Sequence, residues 1–124
     1  MILSSNRPNS HNASTLGTYD YEIYSSTLLE NWSTPTRLAG PINSNNDDIS
    51  NCLSYDGTKM LLHRETGGQT DIFESKLVGN EWSDPKILSF FISSDKNNER
   101  YASYNEDGWK IYFSRDNDVR ETGA

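Results

Sequence analysis

The sequence predicts an all-β chain built from a repeated four-stranded antiparallel unit of about 50 residues. Three recurrences carry that expectation. Trp32-Ser33-Thr34-Pro35 returns as Trp82-Ser83-Asp84-Pro85, 50 residues on. Glu22-Ile23-Tyr24 returns as Asp71-Ile72-Phe73 at an offset of 49, and Leu53-Ser54-Tyr55-Asp56-Gly57 as Tyr104-Asn105-Glu106-Asp107-Gly108 at 51. Leu38 and Ile42 likewise return as Leu88 and Ile92. Landmarks that keep chain order with offsets of 49, 50 and 51 describe one unit with single-residue loop changes.

The elements follow from local chemistry. Asp-Gly between two β-type runs signals a hairpin, because Asp tolerates positive φ and Gly has no Cβ to clash. Strands are therefore expected near 49–54 and 59–64, and again near 100–105 and 109–114. Residues Thr70 to Leu77 form a third strand, and Gly79-Asn80 turns the chain. Trp82 opens a fourth short segment, whose Pro85 suits an edge where no ladder donor is needed. Thr27 to Asn31 reads as a strand end, not a helix, because the aligned stretch Lys76 to Asn80 contains Gly79. Four short strands per repeat, joined by polar turns, are the signature of a β-propeller blade.

Phased this way, the chain is a partial β-propeller of about two blades. Residues 1–45 hold the later part of one blade with a long loop from Asn9 to Tyr19. Residues 46–90 hold one complete blade, and 91–124 the first two strands of the next with a polar tail from Asp116. Within these, residues 1–6 match a second strand, 20–42 a third and fourth, 49–88 a whole unit and 99–115 a first and second strand. Met1 to Pro8 has neither the basic start nor the apolar core of a signal peptide. It reads as a strand running into a polar loop, so the chain is expected to begin inside a longer protein. A propeller closes with at least four blades.

Composition bounds the function. Leu, Ile, Val and Phe supply 24 of 124 residues, a level that with a net charge of −7 points toward disorder. Three Trp and seven Tyr add large buriable area, and the apolar residues fall in short, regularly spaced runs. The negative charge argues against a nucleic-acid partner, since phosphates would be repelled. No apolar run approaches the ~18 residues that span a bilayer as a helix. The single Cys52 excludes an intrachain disulfide and a multi-Cys zinc cluster.

Several residues invite a functional reading. The loops Asn45-Asn46-Asp47-Asp48 and Asp95-Lys96-Asn97-Asn98-Glu99 are rich in oxygen, but neither has the spaced pattern of a calcium loop. Asp48 and Glu99 are expected to accept backbone N–H bonds at the start of a unit. His11 and His63 have no His, Cys or carboxylate at ligand spacing, and nothing beside Cys52 would activate its thiol. Asn12-Ala13-Ser14 and Asn31-Trp32-Ser33 match a glycosylation triplet, a pattern that arises readily in an Asn- and Ser-rich chain. Trp32 and Trp82 share one repeat position, which argues for packing between units. Trp109 does not share it: it directly follows Asp107-Gly108, replaces Thr58, and is the candidate for ligand contact. No catalytic residue, metal site or cofactor is indicated.

The order of landmarks resembles the WD-repeat-like propeller repeat of the TolB type. The matching residues are Ser5-Asn6-Arg7-Pro8, Glu22-Ile23-Tyr24, Trp32, Pro35, Leu38, Ile42-Asn43, Asp48, Ser54, Asp56-Gly57 and their second-copy counterparts through Tyr112-Phe113-Ser114-Arg115. The chain departs from that pattern in its long first loop, in Phe90-Phe91, and in Ser93 where the first copy has Asn43. The version with Trp-x-x-Pro and Ile-Asn is seen in bacterial envelope proteins, often beside peptidoglycan-binding domains. The resemblance implies an exported, non-catalytic scaffold of the periplasm or cell envelope that contacts a protein or envelope component. The alternatives are a propeller glycoside hydrolase or sialidase, which would use paired carboxylates, and an accessory propeller of a peptidase. Ser54-Tyr55-Asp56-Gly57-Thr58-Lys59 places Gly one residue too early for the sialidase turn and lacks its Trp.

Overall fold

A computed structural model describes residues 1–7, 19–89 and 91–116. The described chain is all-β, with antiparallel sheets of three, five and two strands. The first sheet runs β1 (Ile2–Ser5), β2 (Glu22–Ser25), β3 (Thr36–Arg37). The middle sheet runs β4 (Asp48–Leu53), β5 (Lys59–Thr66), β6 (Gln69–Val78), with β7 (Glu81–Trp82) and β8 (Lys86–Ile87) both paired to β6. The last sheet pairs β9 (Glu99–Tyr104) with β10 (Ile111–Arg115). Thr27 to Asn31 is not helical; it holds only a bridge from Leu28 to Trp32. The long first loop apart from Tyr19, Phe90, and the tail beyond Asp116 lie outside the described residues.

The fourth segment of the unit differs from expectation. It breaks at Ser83-Asp84-Pro85 into two short strands, because Pro85 has no N–H to continue a ladder. The β5–β6 hairpin is also longer than expected, with Thr66 opposite Gln69 across Gly67-Gly68. Both glycines take positive φ (63° and 87°), as a two-residue hairpin of the favoured hand requires.

The three sheets pack face to face, and the middle one buries both its faces. Alternation along β5 sends Met60 and Leu62 one way and Leu61 the other. Met60 and Leu62 join Ile23 and Ile42 in the first core, with Ile2, Leu38, Phe73 and Trp82 packed against it. Leu61 joins Ile72 and Ala102 in the second, with Leu88, Ile92, Ile111 and Phe113 against it. The two cores are the same core twice. Ile23, Leu38, Ile42, Met60 and Leu62 of the first correspond to Ile72, Leu88, Ile92, Ile111 and Phe113 of the second.

Polar contacts repeat with them. Ser26 Oγ donates to the Ser33 carbonyl (2.7 Å) and the Thr27 N–H to Ser33 Oγ (3.0 Å). Ser75 Oγ donates to the Ser83 carbonyl (2.6 Å) and the Lys76 N–H to Ser83 Oγ (3.0 Å). Asn43 accepts the Ile23 N–H (2.6 Å) and donates to the Ile23 and Leu38 carbonyls (3.0 and 2.9 Å). Ser93 keeps the first two of these, accepting the Ile72 N–H and donating to the Ile72 carbonyl, both at 3.2 Å. The exchange of Asn for Ser therefore shortens the reach but preserves the role.

The deepest repeat is ionic. Asp48, fully buried, accepts the Ser44 N–H (2.5 Å), the Ser44 hydroxyl (2.8 Å) and Arg64 Nε (2.5 Å). Arg64 Nη2 reaches on to the Pro41 and Ile42 carbonyls, each at 3.3 Å. Glu99, equally buried, accepts the Ser94 N–H (3.2 Å), the Ser94 hydroxyl (2.9 Å) and Arg115 Nε (2.6 Å). Arg115 Nη2 donates to the Phe91 and Ile92 carbonyls (3.3 and 3.0 Å). Asp48 and Glu99 were expected to take backbone donors; the arginines were not anticipated.

Equivalence of the cores makes a quantitative expectation. Ile23→Ala and Ile72→Ala are each expected to cost about 2–5 kcal/mol, since both remove a fully buried side chain from matching surroundings. Ala at the exposed Leu29 is expected to stay within about 0.5 kcal/mol of the parent. Urea unfolding of the three variants measures this, and a large gap between the two isoleucines would deny that the cores are equivalent.

Candidate binding cleft

The two Asp-Gly loops lie in matching places, one after β4 and one after β9. In each, the fourth residue turns back on the first: Gly57 N–H donates to the Ser54 carbonyl and Gly108 N–H to the Asn105 carbonyl, both at 2.9 Å. Lys59 and Lys110 accept the returning bonds from Ser54 and Asn105 N–H, again at 2.9 Å. Gly57 and Gly108 hold φ of 73° and 72°, where a side chain would be strained.

Asp56 and Asp107 do not adopt positive φ; among the described residues only Tyr101 does so without being glycine (56°). The expectation that Asp tolerates that conformation in these hairpins is therefore corrected. The loops are longer than a two-residue turn, and only the Gly needs the left-handed region. Asp56 acts through its carboxylate, which accepts the Ser54 hydroxyl (2.7 Å), the Thr58 N–H (3.0 Å) and the Thr58 hydroxyl (2.7 Å). Those bonds favour the charged form and pull its pKa down to about 2. In the second loop Trp109 stands in place of Thr58, and the Asp107 carboxylate has no hydrogen-bond or ion-pair partner among the described residues.

Between the loops opens a cleft of about 370 Å³. Its walls carry Tyr55 and Trp109, 90% and 89% exposed, with Asp56, Lys59, Glu106 and Asp107 around them. Tyr104 lines it too, and its hydroxyl donates to Glu74 Oε2 (2.7 Å), tying the last sheet to the middle one. Burial first, then the bond and negative charge at Glu74, push the Tyr104 hydroxyl above its ordinary pKa. The structure thus places Trp109 at a cleft and adds Tyr55. Sequence reasoning missed Tyr55, although it stands opposite Glu106 in the repeat, an exchange the fold does not require.

The remaining candidates sit elsewhere. Among the described residues no group of three or more His, Cys, Asp or Glu is gathered as a metal cage. The acid loops are engaged by backbone of their own and of neighbouring segments. Besides the Asp48 and Glu99 clamps, Asp47 accepts the Tyr21 N–H (2.7 Å) and Asn98 the Thr70 N–H (2.8 Å). The Cys52 thiol donates to the Leu53 carbonyl (3.0 Å). His11 and Asn12 lie outside the described residues. Trp32 and Trp82 close matching turns, but only Trp82 packs on a core; Trp32 is 53% exposed. The reason is position. Trp82 lies on the side of the middle sheet that faces the first sheet, and the same side of the first sheet has no described sheet over it. The expectation that both pack between units holds for Trp82 alone. No protein-family model matches the chain, and neither a curated protein nor a solved structure is detectably similar to it.

His63 is buried between the middle and last sheets. Its Nδ1 lies 2.7 Å from Asn51 Oδ1, and its ring meets the Tyr101 ring edge-on at 5.5 Å. Burial, then the Arg100 charge, pull its pKa to about 4 from the ordinary 6.5, against an opposing pull from Asp47. The unfolded chain takes the proton first as pH falls. Stability is therefore full above 6.5 and drops between 6.5 and 4. The loss from this residue is expected to reach up to about 3 kcal/mol. An NMR titration of the His63 ring is expected to show a midpoint near 4; one at 6.5 would mean that the ring is not held neutral.

Proposed function

We propose that this chain is a stretch of a β-propeller that serves as a non-catalytic binding scaffold, presenting its Asp-Gly loops to a protein or cell-envelope component. The observation that carries the reading is the duplicated core and clamp. A sheet operation that buries the same five apolar positions twice can be continued by further copies of the same sheet. The outer faces are fitted for continuation. Trp32 and Tyr112 are 53% and 61% exposed, whereas their counterparts Trp82 and Leu61 pack on a core. The likeness of the landmark residues to the TolB-type repeat supports the same architecture and an exported location in the periplasm or envelope.

The binding part of the reading rests on the loop end. There the two loops share a backbone but differ at the side chains that line the cleft. Fold is kept constant and surface is varied, as a scaffold presenting contacts through its loops requires. No cofactor enters this reading.

Co-sedimentation of the chain with purified bacterial envelope fractions tests it. Retention is expected, and Tyr55→Ala and Trp109→Thr are each expected to weaken it by about fivefold or more while leaving the fold intact. Turnover of glycosides by the purified chain, or retention indifferent to both substitutions, would contradict it.

A further inference from the structure

The cleft is set apart by where the repeat is broken. Asp56 and Asp107 are equivalent, yet Asp56 Oδ1 takes three donors from its own turn and Asp107 has no partner among the described residues. The difference is one residue. Thr58 supplies a backbone and a hydroxyl donor in the first loop; Trp109 brings an indole instead, and that indole lies open to solvent. Tyr55, facing the same cleft, replaces the Glu of the other copy. The second loop keeps the backbone bonds of the first with neither the Thr nor its bonds to the Asp, so the exchange is not a requirement of the turn.

From this we infer that the cleft receives an arginine side chain presented by a protein partner. A guanidinium stacks its plane on an aromatic face and offers paired N–H donors to a carboxylate. The cleft supplies both halves: the rings of Tyr55 and Trp109, and the carboxylates of Asp107 and Glu106. Its charge agrees in sign, since three carboxylates face one ammonium, that of Lys59, on a chain of net charge −7. Asp56 Oδ1 is held by its own turn, which makes Asp107, with Glu106 beside it in the loop, the leading acceptor. This deepens the scaffold reading and rests on it.

The test uses the full chain and short capped peptides, acetyl-Gly-Arg-Gly-amide and its Lys and citrulline counterparts. The indole N–H signals are followed by NMR, with Trp32 and Trp82 as internal references. The arginine peptide is expected to shift the Trp109 signal saturably and alone. It is expected to bind at least about threefold more tightly than the lysine peptide, because the stacking and the fork are both lost with an ammonium. The neutral citrulline peptide should leave the signal in place. Asp107→Asn should weaken the arginine peptide by about threefold or more without moving the Trp32 and Trp82 signals. Equal binding of citrulline, or unchanged affinity in Asp107→Asn, would overturn the proposal. Such a failure leaves retention on envelope fractions, the test of the scaffold reading, to stand or fall separately.

Discussion

The structure depends on a buried carboxylate at the first residue of β4 and of β9. Asp48 and Glu99 are wholly shielded from water, a costly place for a charge unless it is bonded on every side. The loop before the strand supplies a Ser N–H and hydroxyl, and the neighbouring strand supplies an arginine. That arginine then holds the carbonyls of Pro41-Ile42 or Phe91-Ile92, the loop residues that drive an isoleucine into the core. Loop, strand start and core are thereby fixed by one group. Burial pushes the Asp48 carboxyl above its ordinary pKa against the Ser44 and Arg64 bonds, so the arrangement is a poor source of net stability. Its worth lies in geometry: few other loop paths satisfy all the donors at once.

Such polar anchoring explains how a chain with a mean hydropathy of −0.80 holds three sheets together. Among the described residues, each core contains three or four fully covered apolar side chains. The short outer strands are held to the sheets by serine and asparagine side chains bonded to backbone, which substitute for ladder bonds that strands of two residues cannot make. The low apolar content that resembles disorder thus reflects a fold in which backbone satisfaction is shared between ladders and side chains.

Strand order was legible because recurrence is a long-range signal that survives weak local propensity: Asp-Gly, Trp-Ser-x-Pro and Asp-Ile-Phe each land where the repeat puts them. The side chains that bridge elements were less so. Arg64 and Arg115 sit at the repeat offset, but whether an arginine on a strand faces solvent or a buried acid depends on the neighbouring loop, which no local pattern encodes. Asp56 was placed in the right turn for the wrong reason, since its carboxylate and not its φ makes the turn. Trp32 shows the limit of equivalence: the same residue at the same repeat position is covered or bare according to what lies on that face of its sheet. At the cleft, Trp109 was visible as a departure from the repeat, whereas Tyr55 was hidden because aromatic residues are ordinary in β-chains.

The central claim is that two buried acid–arginine clamps organise successive units in the same way. Nitrogen–proton NMR of the arginine Nε–H groups addresses it directly. The signals of Arg64 and Arg115, together with that of Arg37, whose Nε–H donates to the buried Glu22 carboxylate, should be displaced from the position of solvent-facing arginine and exchange slowly with water, and Asp48→Asn should release Arg64 while sparing Arg115. If Arg64 and Arg115 both exchange as fast as free arginine in a folded chain, the clamps do not exist and the repeated architecture built on them is wrong.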